Sequence, residues 1–421
     1  MTFSADFRSQ NLQKSAVHPC FNSCGGKNAR IHLPVAENCN IQCNYCRRKF
    51  SCVNESRPGV TSAVLTPHEA QERCLKALEK IENLSVVGIA GPGDALACPD
   101  NTFETLRLVR DVWKEAIFCL STNGLLLPEY ADSLAECGVS HITVTINSLK
   151  PETARKIYRY ADYHGRRLTG RAASDQLIEN QIEGLRRASA LGIVCKVNTV
   201  FINGLNDSEI PQIAAAVKDA GADLMNIMQL IPVPHTLFED IPLVRNEYIN
   251  EMRTKCESIL PQMRHCKQCR ADAVGTLDND LSLEFTECFT EKTKSLAAKD
   301  ASGTNKNSGQ VLVFAVASKN GVLVDEHFGH ISEFLIYEWC NGGILFKEKR
   351  PVSQFCGGGN CSAHERLPQI YDVLKDCAAI LVLRIGEVPR AFLAERGIKV
   401  IMTYDYVETA VKEAAENLIN R

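Results

Sequence analysis

Short β-rich apolar runs at 29–35, 85–90, 116–120, 141–146, 193–201 and 224–230 alternate with helical hydropathy patterns at 68–83, 102–115, 128–137, 174–191 and 207–220. This alternation predicts parallel strands joined by crossover helices, an α/β architecture. Six such units fall short of the eight that close a full barrel. Residues 292–310 are small and polar with no apolar period, which predicts a flexible linker. Beyond it, strands are expected at 311–317, 334–337, 379–383 and 400–402, with helices at 365–375, 390–396 and 407–418. The predicted organisation is a first domain over 1–291, the linker, and a small α/β domain over 311–421.

Composition narrows the class. A chain of 421 residues exceeds what one core usually serves, in keeping with two domains. A net charge of −3 gives no reason to expect nucleic acid or an anionic membrane as partner. The N-terminus lacks an apolar signal-like region, and no segment is apolar enough to span a bilayer, so a cytoplasmic setting is expected. There, nineteen cysteines point to metal ligation rather than disulfides. Cys74, Cys137 and Cys377 fall in helical patterns and read as small core residues.

Cys39, Cys43 and Cys46 sit in one short loop after the first strand. Three thiolates can hold three corners of a four-iron cubane and leave one iron open; a structural zinc loop or three unrelated buried thiols are the alternatives. The C-terminal ends of parallel strands converge on one mouth. That rule brings to the triplet the turn containing Gly91, Gly93 and Asp94, the turn containing Asn123, and Asn147 after the fourth strand. Cys266-Lys267-Gln268-Cys269 is compatible with a redox pair, half a zinc site or a cluster clamp. With Cys43 and Cys46 taken by the triplet, no second pair of that spacing is available to complete a zinc ribbon, which favours a cluster, with Cys119 as a third thiolate. A further group comprises His18, Cys20, Cys24 and Cys52.

The triplet spacing resembles the signature of radical S-adenosylmethionine (SAM) enzymes. Their shared fold, a partial (β/α)₆ TIM-like barrel, suits the six units above. In that superfamily SAM chelates the open iron, and reduction of the cluster yields a 5′-deoxyadenosyl radical. The glycine turn then falls where the methionine part of SAM binds, and Thr145, Asn147 and Val197 where ribose and adenine contacts arise. More closely, His18-Pro19-Cys20, the run at 29–35, the triplet, Cys52 to Val60, Gly88 to Asp94 and Cys119 to Gly124 together resemble the NifB family of nitrogenase cofactor biosynthesis. The resemblance implies two further 4Fe-4S clusters beside the radical cluster, fused into an eight-iron precursor around a carbide derived from a SAM methyl group. It implies as partners an iron-sulfur cluster donor, a nitrogenase cofactor carrier or scaffold, and a low-potential electron donor. Carried over, Cys266 and Cys269 with Cys119 hold one substrate cluster, and His18, Cys20 and Cys52 the other. Residues 21–28 lack the histidine-rich stretch of many family members, which makes Cys24 an alternative to His18.

The domain over 311–421 resembles the cofactor-binding domain of nitrogenase accessory proteins, on the runs at 311–317, 324–330 and 385–389. His327 and His330 there are either precursor-guiding or a hydrogen-bonded loop pair, and Cys356 to Cys361 reads as a turn. The other functions compatible with the whole pattern are a radical SAM enzyme acting on an organic or peptide substrate, and a cluster carrier without turnover.

Overall fold

The computed structural model describes residues 5–22, 27–47, 57–61, 63–233, 236–285, 311–318, 321, 323–340, 343–355 and 363–419. The chain divides into two compact units, the first running to Thr286 and the second from Glu287. The segment expected to link the domains, 292–310, lies outside the described residues, as does the turn from Cys356 to Cys361.

Ten strands are described in the first unit: β1 (Ala29–His32), β2 (Ile41–Cys43), β3 (Leu84–Ile89), β4 (Ile117–Thr122), β5 (Val139–Thr145), β6 (Tyr158–Tyr163), β7 (Arg166–Thr169), β8 (Val194–Phe201), β9 (Leu224–Gln229) and β10 (Val274–Gly275). Eight helices accompany them: α1 (Ala5–Lys14), α2 (Pro67–Lys80), α3 (Pro99–Val112), α4 (Leu127–Glu136), α5 (Pro151–Ile157), α6 (Gly170–Ala190), α7 (Ile210–Asp219) and α8 (Asn246–Glu257). The main sheet runs β10-β1-β3-β4-β5-β8-β9. Its six longer strands pair in parallel, and β10 closes one edge antiparallel to β1 through Arg30↔Gly275. This is the expected half-barrel.

Local chemistry sets the helices. Helix α2 starts at Pro67 behind a capping box in which Thr66 and Glu69 satisfy each other's backbone N–H. It buries Ala70, Arg73, Cys74 and Ala77, a spacing that keeps one stripe on the sheet. One continuous apolar core lies between the sheet and these helices, built on residues such as Ile31, Val87, Phe118, Ile142 and Ile227.

Hydropathy marks no element between 147 and 174, yet the structure places α5 and the β6–β7 hairpin there. Strand β6 is organised from outside, pairing antiparallel with β2 through Ile41↔Ala161 and Cys43↔Tyr158. Helix α7 begins at Ile210 rather than 207 because Asp207–Glu209 forms a 3₁₀ turn.

In the second unit, β11 (Leu312–Val316), β12 (Glu333–Cys340), β13 (Gly343–Pro351), β14 (Ala379–Val382) and β15 (Lys399–Met402) order as β13-β12-β11-β14-β15. Helices α9 (Ala363–Leu374), α10 (Glu387–Ala394) and α11 (Val407–Ile419) complete it. Strand β13 is an almost wholly exposed edge, so it lacks the apolar alternation that sequence reading relies on.

Candidate metal centre

A cavity of about 320 Å³ opens inside the half-barrel. Its rim carries Cys39, Cys43 and Cys46, and its wall runs down past Cys119 to His18, Cys20, Arg30, His32, Lys196, Cys266 and Cys269.

The rim is laced by backbone and amide contacts. Gln42 Nε2 donates to the carbonyls of Cys43 and Cys46, both at 2.9 Å, and Cys46 N donates to Cys43 O at 3.1 Å. Asn44 ties the loop to the hairpin, its N to Ile157 O and its Nδ2 to Lys156 O, both at 2.7 Å. The glycine turn is stitched to the same loop by Gly93 N to Ala36 O at 2.6 Å and Asp94 N to Asn38 O at 2.8 Å. A Cβ on Gly93 would sit 2.0 Å from Asn38 O, so only glycine permits this approach. Gly91 adopts φ 127°, again glycine territory.

Buried Asp94 accepts from Leu96 N at 3.0 Å, Thr122 Oγ1 at 3.0 Å and Asn123 N at 2.5 Å, so one carboxylate ties the loop after β3 to the end of β4. Burial pushes its carboxyl above the usual range against those hydrogen bonds. Asn123 Nδ2 in turn reaches Asn40 Oδ1 at 2.7 Å and Cys39 Sγ at 3.7 Å.

The floor is polar and cationic. Arg30, almost fully buried, donates to Cys269 Sγ at 3.1 Å, to Asp280 Oδ2 at 3.4 Å and to the carbonyls of Gly275 and Thr276 at 2.6 Å each. Burial pushes the Cys269 thiol up to about 11, with Arg30 opposing, and the Cys119 thiol up to about 12, with Lys196 opposing. Lys196 is 5% exposed, meets Met263 Sδ at 3.9 Å and lies over the Phe21 ring at 4.8 Å, with no carboxylate partner among the described residues. The Cys20 thiol lines the same floor and adds to the upward push on both Cys119 and Cys269.

Two histidines differ in tautomer. Cys20 N donates to His18 Nδ1 at 3.1 Å, so neutral His18 carries its hydrogen on Nε2, which is buried with no partner. His32 Nδ1 lies 3.0 Å from the Arg270 carbonyl, which can only accept, so its lone pair is on Nε2. Burial holds His32 down to about 4, keeping it neutral at pH 7. A ring whose N–H is fixed by a carbonyl is the usual form of a metal-binding histidine.

No group of three or more His, Cys, Asp or Glu among the described residues is drawn together tightly enough for a single ion. Four thiolates on one zinc sit about 3.8 Å apart, as tetrahedral 2.3 Å bonds require. A cubane binds each thiolate through a different iron and spreads them wider. A donor set made mostly of thiols around one cavity suits iron-sulfur clusters. The rim also fits a ligand such as SAM: it is backed by glycine, and Asn226 on the cavity wall keeps a buried Oδ1 without a donor. No disulfide joins the described cysteines.

Residues 33–217 match the Radical SAM superfamily, and residues 310–420 match the family described as dinitrogenase iron-molybdenum cofactor. Over 406 residues the chain is 41% identical to the FeMo cofactor biosynthesis protein NifB of Klebsiella pneumoniae, covering 92% of this chain and 87% of that one. The chain belongs to the NifB family. The Chlorobaculum tepidum NifB is 39% identical, with 94% and 91% covered, and the Azotobacter vinelandii NifB 39%, with 91% and 84% covered. This NifB relative is thus a radical SAM enzyme of nitrogenase cofactor biosynthesis, in a fold that binds SAM and a 4Fe-4S cluster. Among the described residues, no helix is long and apolar enough to cross a membrane.

Of the residues singled out in sequence, Cys39, Cys43, Cys46, Gly93, Asp94, Asn123, Thr145, His18, Cys20, Cys119, Cys266 and Cys269 line the one cavity. Three do not. Gly91 shapes the turn without lining it. Asn147 is buried behind the rim, donating to Tyr45 Oη at 2.9 Å and accepting from Val200 N at 2.9 Å, so it positions the cysteine loop instead of facing SAM. Val197 points into the apolar core; the strand period puts Lys196 and Asn198 on the cavity side. Cys24 and Cys52 lie outside the described residues. Arg30, His32 and Lys196 are cavity residues that motif reading missed; Arg30 and His32, two apart on one strand, were the available signal.

In the second unit, His327 Nδ1 accepts from Gly329 N at 3.0 Å and its ring lies 5.1 Å from that of His330. Burial pushes His327 down to about 3.

Proposed function

We propose that this protein joins two 4Fe-4S substrate clusters into an eight-iron nitrogenase cofactor precursor and inserts a carbide drawn from SAM. The observation carrying this reading is that one cavity is lined both by the rim triplet and by a second set of thiols at its floor. A radical formed at the rim would then meet its target without leaving the barrel. When bound, the rim cluster and SAM supply a methyl group and a 5′-deoxyadenosyl radical.

The chain's own groups have distinct tasks. Cys39, Cys43 and Cys46 hold the radical cluster, and Gly93, Asp94, Asn123 and Thr145 shape the SAM side. Cys119, expected with Cys266 and Cys269, is grouped instead with Cys20, whose thiol acts on it, and these two hold one substrate cluster, with the Nε2 lone pair of His32 taking the place expected of His18, whose tautomer withholds one. Cys266 and Cys269 hold the other. Arg30 and Lys196 offset the negative charge that thiolate-bound clusters bring into a buried site.

The setting is the cytoplasm during nitrogen fixation, with a protein that delivers 4Fe-4S clusters, a carrier or scaffold that takes the product, and a low-potential electron donor. The second unit is a separable domain that guides precursor. The test is anaerobic reconstitution followed by SAM addition. About twelve irons per chain are expected, as three four-iron clusters, with both S-adenosylhomocysteine and 5′-deoxyadenosine as products. Release of 5′-deoxyadenosine without S-adenosylhomocysteine would remove the methyl-transfer step.

A further inference from the structure

The strand that carries Cys43 is hydrogen-bonded to a basic hairpin. In a chain of net charge −3, residues 150–171 hold seven Lys and Arg against two Asp and Glu. Much of this charge is exposed on α5, β6 and β7. The local acids are consumed internally. Asp162 receives a two-armed contact from Arg167, both bonds at 2.8 Å, and Arg167 also stacks on Tyr160 at 3.9 Å. Glu152 is shared by Arg155 and Arg171. Lys156, Arg159 and Arg166 are left without an ion pair among the described residues, all three exposed.

Their position relative to the rim is fixed by pairing. Cys43 registers against Tyr158, and Asn44 bonds to the carbonyls of Lys156 and Ile157. Strand β7 adds beyond β6 through Tyr160↔Thr169. The outer strand therefore lies two strand spacings, about 10 Å, from the strand bearing Cys43. A positive surface this close to a reducible cluster matches the chemistry of small acidic electron-transfer proteins, whose encounters are steered by opposite charge.

We propose that the exposed face of α5 and the β6–β7 hairpin is the docking surface for an acidic one-electron donor protein. The proposal rests on the reading of Cys39, Cys43 and Cys46 as ligands of the reducible cluster. In the docked complex one electron passes from the reduced donor to that cluster; the donor is left oxidised by one electron, and no bond or proton moves in this step.

The test compares two reductants on the full-length, reconstituted protein, reading cluster reduction by stopped flow and 5′-deoxyadenosine by chromatography. One is a reduced, acidic two-cluster ferredoxin; the other is dithionite, too small to need docking. In the triple variant Lys156→Glu, Arg159→Glu, Arg166→Glu, the ferredoxin-driven second-order rate constant at about 50 mM salt is expected to fall at least ~10-fold and to lose its decline with rising salt. The dithionite-driven rate is expected to stay unchanged. The conservative variant Lys156→Arg, Arg159→Lys, Arg166→Lys is expected to keep the ferredoxin rate. A ferredoxin rate within about two-fold of the unaltered protein in the Glu variant overturns the proposal, as does an equal loss with both reductants, which would mean the hairpin acts by holding the cysteine loop. Absence of 5′-deoxyadenosine from the unaltered protein with dithionite overturns the site reading itself, and the docking with it.

Discussion

The rim and the floor of one cavity hold their thiols by opposite means. At the rim, three cysteines come from a single stretch, and the contacts that fix them are peptide and amide hydrogen bonds from Gln42, Asn44, Asn123 and the Gly93 turn. At the floor, Cys20, Cys119 and Cys269 come from three distant parts of the chain, and the groups facing them are charged or ionisable: Arg30, His32 and Lys196. Backbone lacing makes a site whose shape is set by the fold before anything binds. A floor of buried cations without enough anions is instead a site whose electrostatics are completed by what it receives.

Removing one rim thiol is the most severe way to separate the two. Cys43→Ala deletes one of three ligands and is expected to lower 5′-deoxyadenosine formation more than ~100-fold, with loss of the SAM-responsive paramagnetic signal. Cys266→Ala is expected to retain SAM cleavage within a few-fold and to block precursor formation. Equal loss of SAM cleavage in both variants would erase the distinction between rim and floor.

Next in size is the rim's dependence on a missing side chain. Gly93→Ala forces a Cβ to 2.0 Å from a backbone carbonyl, which no side-chain rotation relieves. The expected cost exceeds the usual ~1–3 kcal/mol of overpacking, read as a lowered urea midpoint together with weakened SAM binding. Gly88→Ala presses on the floor instead, where the new Cβ would meet His32 Cδ2 at 2.8 Å. It should leave SAM binding intact and impair cluster retention at Cys20 and Cys119. A SAM-binding defect in the Gly88 variant matching that of the Gly93 variant would show the two sites to be mechanically one.

This contrast also explains what could be read from sequence. The rim is contiguous, so spacing alone exposes it, and the six parallel strands of the half-barrel announce themselves as apolar runs because both their faces are buried. The same burial hides the floor. In β8 Lys196 and Asn198 stand within a run that is otherwise mostly apolar, and reading Val197 in place of Lys196 as the inward position is a one-residue error that inverts the face. His18 attracted attention through its motif, whereas the choice between His18 and His32 depends on which ring nitrogen a backbone N–H or carbonyl occupies, a tertiary fact. The hairpin at β6–β7 was invisible because its partner is the cysteine-loop strand, more than a hundred residues upstream.

Lys196→Met tests the electrostatic half of the comparison at nearly constant volume. Removing the cation that opposes the burial of Cys119 should raise the loss rate of the floor cluster about 10-fold, in the range that supporting residues of metal sites contribute. The rim signal should be unaffected. Iron counting after anaerobic gel filtration reads the first quantity and paramagnetic resonance the second; equal cluster retention in the variant and the unaltered protein would deny Lys196 this role.

The smallest expected effect concerns protons at the floor and at His141, whose ring packs 4.7 Å from that of His18. His141 is buried between Ser15 Oγ and Ser140 Oγ, both at 2.9 Å, and burial pushes it from 6.5 down to about 3. His18 and His32 are lowered in the same way. An unfolded chain takes up protons at these rings as pH falls below 6.5, while the folded barrel refuses them until far lower, so stability is full above pH 6.5 and is lost on acidification. For His141 alone the loss is roughly 0.8 kcal/mol at pH 6, steepening toward about 1.4 kcal/mol per pH unit below it. His141→Gln should therefore flatten the pH dependence of the urea midpoint by about one third of the three-histidine slope. A Trp339→Phe background leaves Trp113 as the sole tryptophan, so its fluorescence follows the first unit alone. An unchanged slope in the His141 variant would mean that the floor's resistance to protons is carried by His18 and His32, the two rings nearest the proposed substrate cluster, and that its acid sensitivity should vanish once that cluster is loaded.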